Sequence, residues 1–453
     1  MKPHILFCAR ICRLLCLFTA ISLLAAGCTP APAPASSIST AKTSVTQSVQ
    51  TAPLSITGRE LSAKTRVTSA YFSTVSMCLL YDDYSIAGAE AALDAAFAQI
   101  QEILGEIEAA VSTSIPTSDI ARFNTLAYME SMPISSHTAN ILFAAQRAYE
   151  ITDGIYDPTI FPLVDIWGFS PRVQSPAYVP TMLYDRAQAG TLPDAAYINA
   201  FLGLVDFSGI LLSGNEATGY TLTKAIPPLE LDGMVFNAQL DLGGVAKGYA
   251  TERVVQYLRE SGYQYGYFVC GGSSIGLMEC ASERAMKDDS FAFNLTMKKP
   301  RRTSITSDGY ASVRVKNAML STSGDDTNRF IFDDKVYCHI IDTQSGYPVN
   351  TQQQGAQSGI ASVTVIGQDA TYLDCLSTAL MAMPPQDAID FINEKLRDRQ
   401  VILVLYRADR AYYEIVTNIP EADLQIIDPA YLPASELDEN GALRYTGSLL
   451  FEE

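Results

Sequence analysis

The sequence predicts an α+β fold in which mixed and antiparallel sheets are flanked by helices. Segments rich in β-branched and aromatic residues are interspersed with segments that repeat apolar residues at helical spacing. The two kinds of segment do not alternate regularly, as a parallel βαβ fold would require. The chain has 453 residues, of which 48% are hydrophobic and 18% charged, so it can bury a large core.

The predicted elements begin near Val67, after a polar stretch. Strand character at 68–81 is followed by an Ala/Leu/Ile-rich helix at 87–111. The later predictions, in chain order, are a helix at 141–152, short strands and turns over 171–240 with a small helix near 194–202, a helix at 248–261, a strand at 265–269, several antiparallel strands over 290–345, a strand at 362–366, helices at 370–381 and 387–397, and a strand at 401–406.

The N-terminus is typical of a targeting segment, because three basic residues precede an apolar run at 14–26 that is short for a membrane span. The run ends in LLAAGC, which resembles the lipobox of bacterial lipoproteins and makes Cys28 the expected lipid anchor. We therefore expect a lipoprotein signal peptide at 1–27 and a chain that is exported and anchored to the outer face of the cytoplasmic membrane, or periplasmic. An uncleaved anchor and a soluble secreted protein are the alternatives.

The Pro/Ala/Ser/Thr-rich stretch at 28–65 is expected to be a flexible tether. The main domain is then assigned to 66–430, and 431–453 to a C-terminal tail, although the stretch after Asp428 can also form an edge strand.

Charge and cysteine content exclude several classes. The formal net charge of −18 argues against a nucleic-acid-binding protein. Five cysteines lie outside the targeting segment, and an odd number without a Cys-x-x-Cys pair favours buried free thiols over disulfides or a zinc site.

The most specific local pattern is DLGGVAKGYA at 241–250, which places two glycines directly before a predicted helix. Backbone N–H groups at such a turn can face an anion, and the helix dipole adds to the attraction. Lys247 adds a positive charge nearby. The spacing is not that of a P-loop, and a turn that merely packs a helix against a sheet is the alternative.

Two other segments contain candidate binding groups. In GIYDPT at 154–159, Asp157 is held extended before a proline, although a helix-ending turn explains the same pattern. Only three histidines occur in the chain; His4 belongs to the targeting segment and His137 is expected at the surface. His339 lies in a predicted strand and is the histidine best placed for general-base work, with a structural role as the alternative.

A carboxylate and a hydroxyl are paired in DATYLDCLSTAL. Asp374 and Thr378 are four residues apart on a predicted helix, so they share one face. Hard oxygen ligands of this kind suit Mg²⁺ bound together with a phosphate. A helix-terminal aspartate with a core-facing threonine is the alternative.

Taken together and in this order, four runs resemble the ApbE family of FAD:protein FMN transferases: YDPTIFPLVDIWGF, DLGGVAKGYATERV, STSGDDTNRF with HIIDTQSGYPV, and VTVIGQDATYLDCLSTAL. VSTSIPTSDIARFN at 111–124 is similar to an N-terminal motif of that family. The resemblance covers about 67–410. It implies an ApbE-like, T-fold-related catalytic domain within 66–430.

The resemblance implies that FAD is the substrate, with its pyrophosphate near 241–247, and that FMN passes to a Thr or Ser hydroxyl of an acceptor protein while AMP leaves. Mg²⁺ would be held by Asp374, Thr378 and the Gly244 backbone, and His339, Asp374 and Lys247 would be catalytic. The expected FAD contacts are Met77, Ile155, Tyr156, Asp157, Asp241, Lys247, His339 and Ile340. Membrane-associated redox proteins would be the acceptors.

Some positions depart from the family pattern. Ser114 stands where an aromatic residue is common, Thr343 where a proline follows HIID, and Glu252 where an aspartate is common. Ser273 and Ser274 replace an acidic or amide residue. Two alternative functions use the same site: a Mg²⁺-dependent FAD pyrophosphatase with water as acceptor, and a non-catalytic FAD-binding lipoprotein.

Overall fold

The computed structural model describes residues 54–56, 59–170, 192–279, 293–301, 309–325, 328–332, 335–349, 358–407 and 412–447. Cys28, the targeting segment and most of the expected tether lie outside these residues. None of the helices in the described ranges has the length and apolarity needed to cross a bilayer.

The helices are α1 (Ala89–Val111), α2 (Asp119–Asn124), α3 (Ser136–Ile151), α4 (Phe161–Ile166), α5 (Ala195–Leu202), α6 (Ala246–Glu260), α7 (Ala370–Ala382) and α8 (Pro385–Lys395). The strands are β1 (Leu54–Ile56), β2 (Arg59–Tyr71), β3 (Thr74–Asp82), β4 (Ser131–Ile134), β5 (Ile210–Asn215), β6 (Gly219–Lys224), β7 (Leu229–Leu231), β8 (Met234–Phe236), β9 (Tyr265–Cys270), β10 (Ser274–Leu277), β11 (Phe293–Lys298), β12 (Gly309–Val315), β13 (Met319–Gly324), β14 (Arg329–Phe332), β15 (Lys335–Cys338), β16 (Ser358–Gly367), β17 (Gln400–Arg407), β18 (Tyr413–Thr417), β19 (Leu424–Ile426), β20 (Tyr431–Pro433), β21 (Ser435–Leu437) and β22 (Leu443–Tyr445).

The centre of the fold is a ten-stranded sheet with the order β1-β2-β3-β9-β10-β13-β16-β17-β18-β20. Its pairs are antiparallel except for β18 and β20, which run parallel. Smaller sheets surround it, among them β11-β12-β19 and β4-β6-β5. This arrangement confirms the predicted α+β class with mixed and antiparallel sheets and flanking helices.

The central sheet is covered on both faces, and β17 illustrates how. Val401, Leu403 and Leu405 join the large core that contains the helices, whereas Ile402 and Val404 join a second core under β11 and β12. Successive side chains of a strand point to opposite faces, so a strand buried on both sides needs a continuous apolar run. The run VILVLY at 401–406 meets that requirement.

The first predicted strand is in fact a hairpin, and the domain starts earlier than residue 66. β2 begins at Arg59 and pairs with β3, with Leu61 and Ala63 buried. The Pro/Ala/Ser/Thr-rich composition of 28–65 predicts a tether, but the residues from Arg59 onward form this strand. Phe72 and Ser73 form the turn with φ values of 53° and 51°, without the Gly, Asn or Asp that usually marks a two-residue hairpin turn.

The stretch beyond Asp428 is part of the domain rather than a free tail as far as Gly447. β20 is an edge strand of the central sheet, which confirms the alternative prediction for this stretch, and the β21–β22 hairpin follows. The amide of Asn393 in α8 donates to the Leu443 carbonyl at 2.9 Å and accepts from its N–H at 2.7 Å. Tyr445 donates to the buried Glu414. The residues that form these contacts are far apart in sequence, and composition therefore did not reveal the contacts.

The prediction of buried free thiols is confirmed for the four cysteines within the described residues. Cys78, Cys270, Cys338 and Cys375 are buried free thiols. Cys280 lies outside the described residues. His137, which was expected at the surface, is instead half-buried in the first turn of α3 with its Nδ1 3.0 Å from the Tyr249 hydroxyl.

One buried lysine lies away from the central sheet. Lys224 at the end of β6 has no exposed surface, its Nζ donates to the Leu126 carbonyl at 2.8 Å, and it lies 4.9 Å from the Phe123 ring centroid. Burial lowers the pKa of Lys224 to about 7, partly offset by the charge of Glu130.

We predict that Lys224→Met flattens the pH dependence of stability above pH 7. The pKa of this lysine is about 7 in the folded chain and near 10.5 in the unfolded chain. Between these two pH values the unfolded chain binds a proton that the folded chain has released, so the free energy of unfolding of the wild type should rise with pH. The slope for one such group reaches about 1.4 kcal/mol per pH unit. Urea unfolding at pH 7, 8 and 9 measures it. The control replaces exposed Lys395 with Met; equal slopes in wild type and Lys224→Met contradict the prediction.

Candidate active site

A cavity of about 650 Å³ lies where several turns meet the first turn of α6. The turn between β2 and β3 contributes Phe72–Thr74, the turn between β9 and β10 contributes Gly271 and Ser273, and β13 contributes Thr322–Gly324. The glycine turn before α6 forms another part of the wall. Segments as far apart in sequence as Phe72 and Ala382 therefore share one cavity.

The glycine turn is built by its own side chains. The carboxylate of Asp241 accepts from the Gly243 N–H at 2.8 Å, and Lys247 Nζ donates to the Gly243 carbonyl at 2.9 Å. Burial raises the pKa of Asp241, while the Gly243 N–H and Lys247 oppose that rise. The turn thus combines a folded-back backbone, a half-buried carboxylate and a cation beside a helix N-terminus.

Asn124 fixes the chain just before this turn. Its side-chain oxygen accepts from the Leu240 N–H at 2.7 Å, and its nitrogen donates to the Leu240 carbonyl at 3.0 Å. Asp241 N–H in turn donates to the Pro158 carbonyl at 2.8 Å. The 111–124 run was noted in the sequence, but the role of Asn124 was missed because its partner is 116 residues away.

Asp374 lies opposite the glycine turn, on α7. The side chain is 4% exposed; Oδ2 accepts from the Gly248 N–H at 2.9 Å, and Oδ1 accepts from the Ser274 hydroxyl at 3.5 Å. Burial raises the pKa of Asp374, against the effects of Lys247 and of the Gly248 N–H. A nearby cation stabilises the charged form of a buried carboxylate that accepts few strong hydrogen bonds.

Thr378, one turn further along α7, faces the same region. Its hydroxyl donates to the Asp374 carbonyl at 3.1 Å and lies 3.3 Å from the Ser323 hydroxyl. A Cβ at Gly244 would lie 3.3 Å from Thr378 Oγ1, so the glycine turn rests against this threonine. The structure thus brings the three expected metal-binding residues together.

The expected metal ligands in this group are all oxygen atoms, which suit Mg²⁺ better than a softer metal. No cluster of three or more His, Cys, Asp or Glu side chains suited to a metal occurs within the described ranges. The expected set differs from such a cluster, because it has one carboxylate, one hydroxyl and one backbone carbonyl. An ion that keeps waters and binds substrate phosphates needs no more protein ligands than this.

His339 lines the same cavity, directly after β15. The residue is half-buried, and its Nδ1 is buried without a hydrogen-bond partner among the described residues. Burial, with a smaller contribution from the charge of Lys247, lowers the pKa of His339 to about 4. The imidazole is therefore neutral at pH 7, with a ring nitrogen whose bonding capacity a ligand can satisfy.

The expected contact residues around Tyr156 also reach the cavity, together with Ile340. Tyr156 is buried against Gly244. Asp157 shapes its own turn: Oδ1 accepts from the Thr159 N–H at 2.7 Å and Oδ2 from the Phe207 N–H at 3.0 Å. Both carboxylate oxygens of Asp157 thus accept hydrogen bonds from the protein.

Met77 is the one expected contact that is not among the residues lining the cavity. It lies within β3, where it pairs with Val67 on one side and Val269 on the other. The hairpin turn instead brings Phe72 to the cavity, with the Phe72 N–H donating to Glu108 at 2.7 Å. Sequence reasoning missed Phe72 because it took the hairpin for one strand.

Two departures from the family pattern have visible roles. The Thr343 hydroxyl donates to the Gly154 carbonyl at 3.0 Å and so joins the HIID segment to the Tyr156 turn. Ser274 contacts Asp374, as described above. Ser114 lines the cavity without a ring to offer.

Comparison with known proteins gives a consistent result. The family model described as ApbE family matches residues 72–403. A relative from Vibrio cholerae, named FAD:protein FMN transferase, is 29% identical over 286 residues, covering 63% of this chain and 72% of the relative. A protein of the same name from Escherichia coli K12 is 28% identical over 298 residues, covering 66% and 73%.

Solved structures share the fold. The flavin transferase ApbE from Vibrio cholerae matches with a TM-score of 0.59 and 22% identity, covering 78% of this chain and 97% of that one. The apo flavinyl transferase ApbE from Pseudomonas stutzeri matches with a TM-score of 0.58 and 23% identity, covering 79% and 93%.

We predict that Gly248→Ala separates α6 from α7 and damages the site. A Cβ at Gly248 would lie 2.2 Å from the Ala370 carbonyl oxygen and 2.7 Å from Asp374 Cβ, contacts that only backbone movement relieves. Overpacking of this kind costs about 1–3 kcal/mol or more. Urea unfolding and ligand titration measure the effect. In the control Gly105→Ala, the new Cβ meets only the Tyr71 side chain at 3.2 Å. Equal stability of the two variants contradicts the prediction.

Proposed function

The chain belongs to the ApbE family, and from this premise we propose that it is an FAD:protein FMN transferase. It takes FAD as substrate, transfers FMN to a threonine or serine hydroxyl of an acceptor protein and releases AMP. The observation that carries the proposal is the meeting of Asp374, Thr378, Lys247 and the glycine turn in one cavity. The names of the relatives support it.

The bonds exchanged define what the site must do. The acceptor oxygen forms a bond to the FMN phosphorus, the bond from that phosphorus to the bridging oxygen breaks, and AMP leaves with the bridging oxygen. As the new bond forms, the hydroxyl proton passes to a base, for which His339 is the candidate. Phosphoryl chemistry of this type depends mainly on positioning and charge stabilisation.

The glycine turn and Lys247 would bind the diphosphate of FAD. The turn precedes α6, whose N-terminus favours negative charge, and Lys247 is held beside it through its bond to Gly243. Mg²⁺, held by Asp374, Thr378 and the Gly244 carbonyl, would supply charge neutralisation at the diphosphate and at the departing AMP.

We assign His339 as the base that accepts the proton of the acceptor hydroxyl. Its imidazole is neutral, as a proton acceptor must be, and the buried Nδ1 lacks a partner. A pKa of about 4 makes it a weak base in the free protein. A bound diphosphate favours the protonated ring and would raise that pKa toward neutrality.

The function is tested by incubating the purified protein with FAD, Mg²⁺ and a detergent extract of membrane proteins. We expect AMP release and flavin fluorescence on an acceptor band in a denaturing gel. AMP without labelled protein indicates a pyrophosphatase. Tight FAD binding without either product indicates a binding protein and contradicts both enzymatic functions.

We predict that Asp374→Ala abolishes Mg²⁺-dependent transfer, because it removes the only carboxylate of the proposed metal site. The expected loss of rate is at least about a hundredfold, as is typical when an electrostatic contact of the transition state is removed. The control Asp387→Ala removes an exposed carboxylate from α8. Full activity in Asp374→Ala contradicts the metal assignment.

We further propose that the protein is exported and anchored through Cys28, outside the cytoplasm and close to membrane-bound redox proteins that serve as acceptors. The support is the LLAAGC run and the polar stretch that follows it. Mass spectrometry of the membrane-bound protein should find an N-terminus at acylated Cys28, and Cys28→Ala should move the protein out of the membrane fraction. An intact Met1 on the membrane-bound protein contradicts this proposal.

A further inference from the structure

The two sides of the site are carried by two helices in direct contact. Lys247 and Gly248 lie in the first turn of α6, whereas Asp374 and Thr378 lie on α7. Gly248 allows the helices to approach so closely that its N–H bonds to the Asp374 carboxylate at 2.9 Å. The relative position of α6 and α7 therefore decides where Asp374 stands against the glycine turn.

A second contact joins the same helices one turn further on. Glu252 of α6 accepts with Oε2 from both the N–H and the hydroxyl of Thr371, at 3.1 and 2.7 Å. Thr371 belongs to the first turn of α7, where N–H groups have no partner within the helix. Glu252 thus supplies from α6 a cap that a helix normally receives from its own chain.

The surroundings of Glu252 suit this role. The N-cap residue of α7, Asp369, accepts from the Tyr372 N–H at 3.1 Å, so two carboxylates share the positive end of one helix. Arg147 lies 3.6 Å from Asp369 and balances part of the charge. Thr371 is buried, so its hydroxyl depends on a protein partner.

Glu252 does not belong to the cavity wall. Among the described residues the wall includes Lys247, Asp374 and Thr378 but neither Glu252 nor Thr371. The Glu252 carboxylate therefore does not act by contacting substrate. Its effect must pass through the position of α7.

We propose that Glu252 is a positioning residue: by bonding to Thr371 it fixes α7 along α6, and so holds Asp374 and Thr378 at the distance from Gly244 that metal binding requires. This inference rests on the proposed function, because it assigns the purpose of the contact to the metal site. The Glu252 side chain reaches from α6 to Thr371 on α7.

The test compares Glu252→Ala with Glu252→Gln. Glutamine keeps an oxygen that accepts from Thr371, whereas alanine removes it. We expect Glu252→Ala to raise the half-saturating Mg²⁺ concentration for transfer by about tenfold or more, the usual effect of losing a residue that orients a metal ligand. The rate at saturating Mg²⁺ should fall less than about threefold, and glutamine should restore the wild-type Mg²⁺ dependence.

A second measurement is independent of turnover. FAD affinity is determined by flavin fluorescence with EDTA and with Mg²⁺, in the absence of acceptor. We expect the improvement in affinity caused by Mg²⁺ to be lost in Glu252→Ala, while the affinity in EDTA stays at the wild-type value. Thr371→Val, which keeps the N–H but not the hydroxyl, should show a smaller change in the same direction.

The control is Asn393→Ala, which removes two hydrogen bonds to Leu443 in another part of the domain. If Glu252→Ala and Asn393→Ala change thermal stability alike and neither alters the Mg²⁺ dependence, Glu252 is merely structural and the proposal is wrong. A wild-type enzyme that transfers FMN without any need for Mg²⁺ overturns the proposal through its premise. Absence of transfer in the wild type instead refutes the proposed function.

Discussion

The close approach of α6 and α7 is the constraint on which the site depends. Gly248 leaves no side chain between the helices, so a backbone N–H of one reaches the buried Asp374 carboxylate of the other. Burying a carboxylate is costly unless donors or a cation compensate. The Gly248 N–H and the Ser274 hydroxyl provide part of that compensation, and the charge of Lys247 adds to it.

The central sheet gives these helices a fixed support. Strands β13, β16, β17 and β18 contribute residues to the helical core on one face and to the core under β11 and β12 on the other. A sheet packed on both faces resists movement, because interiors are dense and each side chain fills a defined space. The turns at the ends of β3, β9 and β13 are thereby held in place around the cavity.

The site contains a positive charge, Lys247, although the protein as a whole is acidic. The chain carries a formal charge of −18, yet the charge of Lys247 lowers the pKa of Asp241 and of Asp374 and adds to the effect of burial that lowers the pKa of His339. A local cation beside a helix N-terminus is enough to receive a diphosphate, whatever the charge of the distant surface, because exposed charges beyond about 10 Å are screened by salt.

The sequence by itself determined the α+β class, most of the helices, the glycine turn before α6 and the pairing of Asp374 with Thr378, because each is a local pattern of periodicity or spacing. It did not reveal the hairpin at Phe72 or the strands that precede residue 66, and it left a tail and an edge strand as alternatives after Asp428, because these signals are weak locally and depend on strand pairing. Only the tertiary structure decided that Phe72 rather than Met77 reaches the cavity, and that Asn124 and Glu252 hold the site. Their partners lie more than 100 residues away, and no local pattern specifies a contact at that separation.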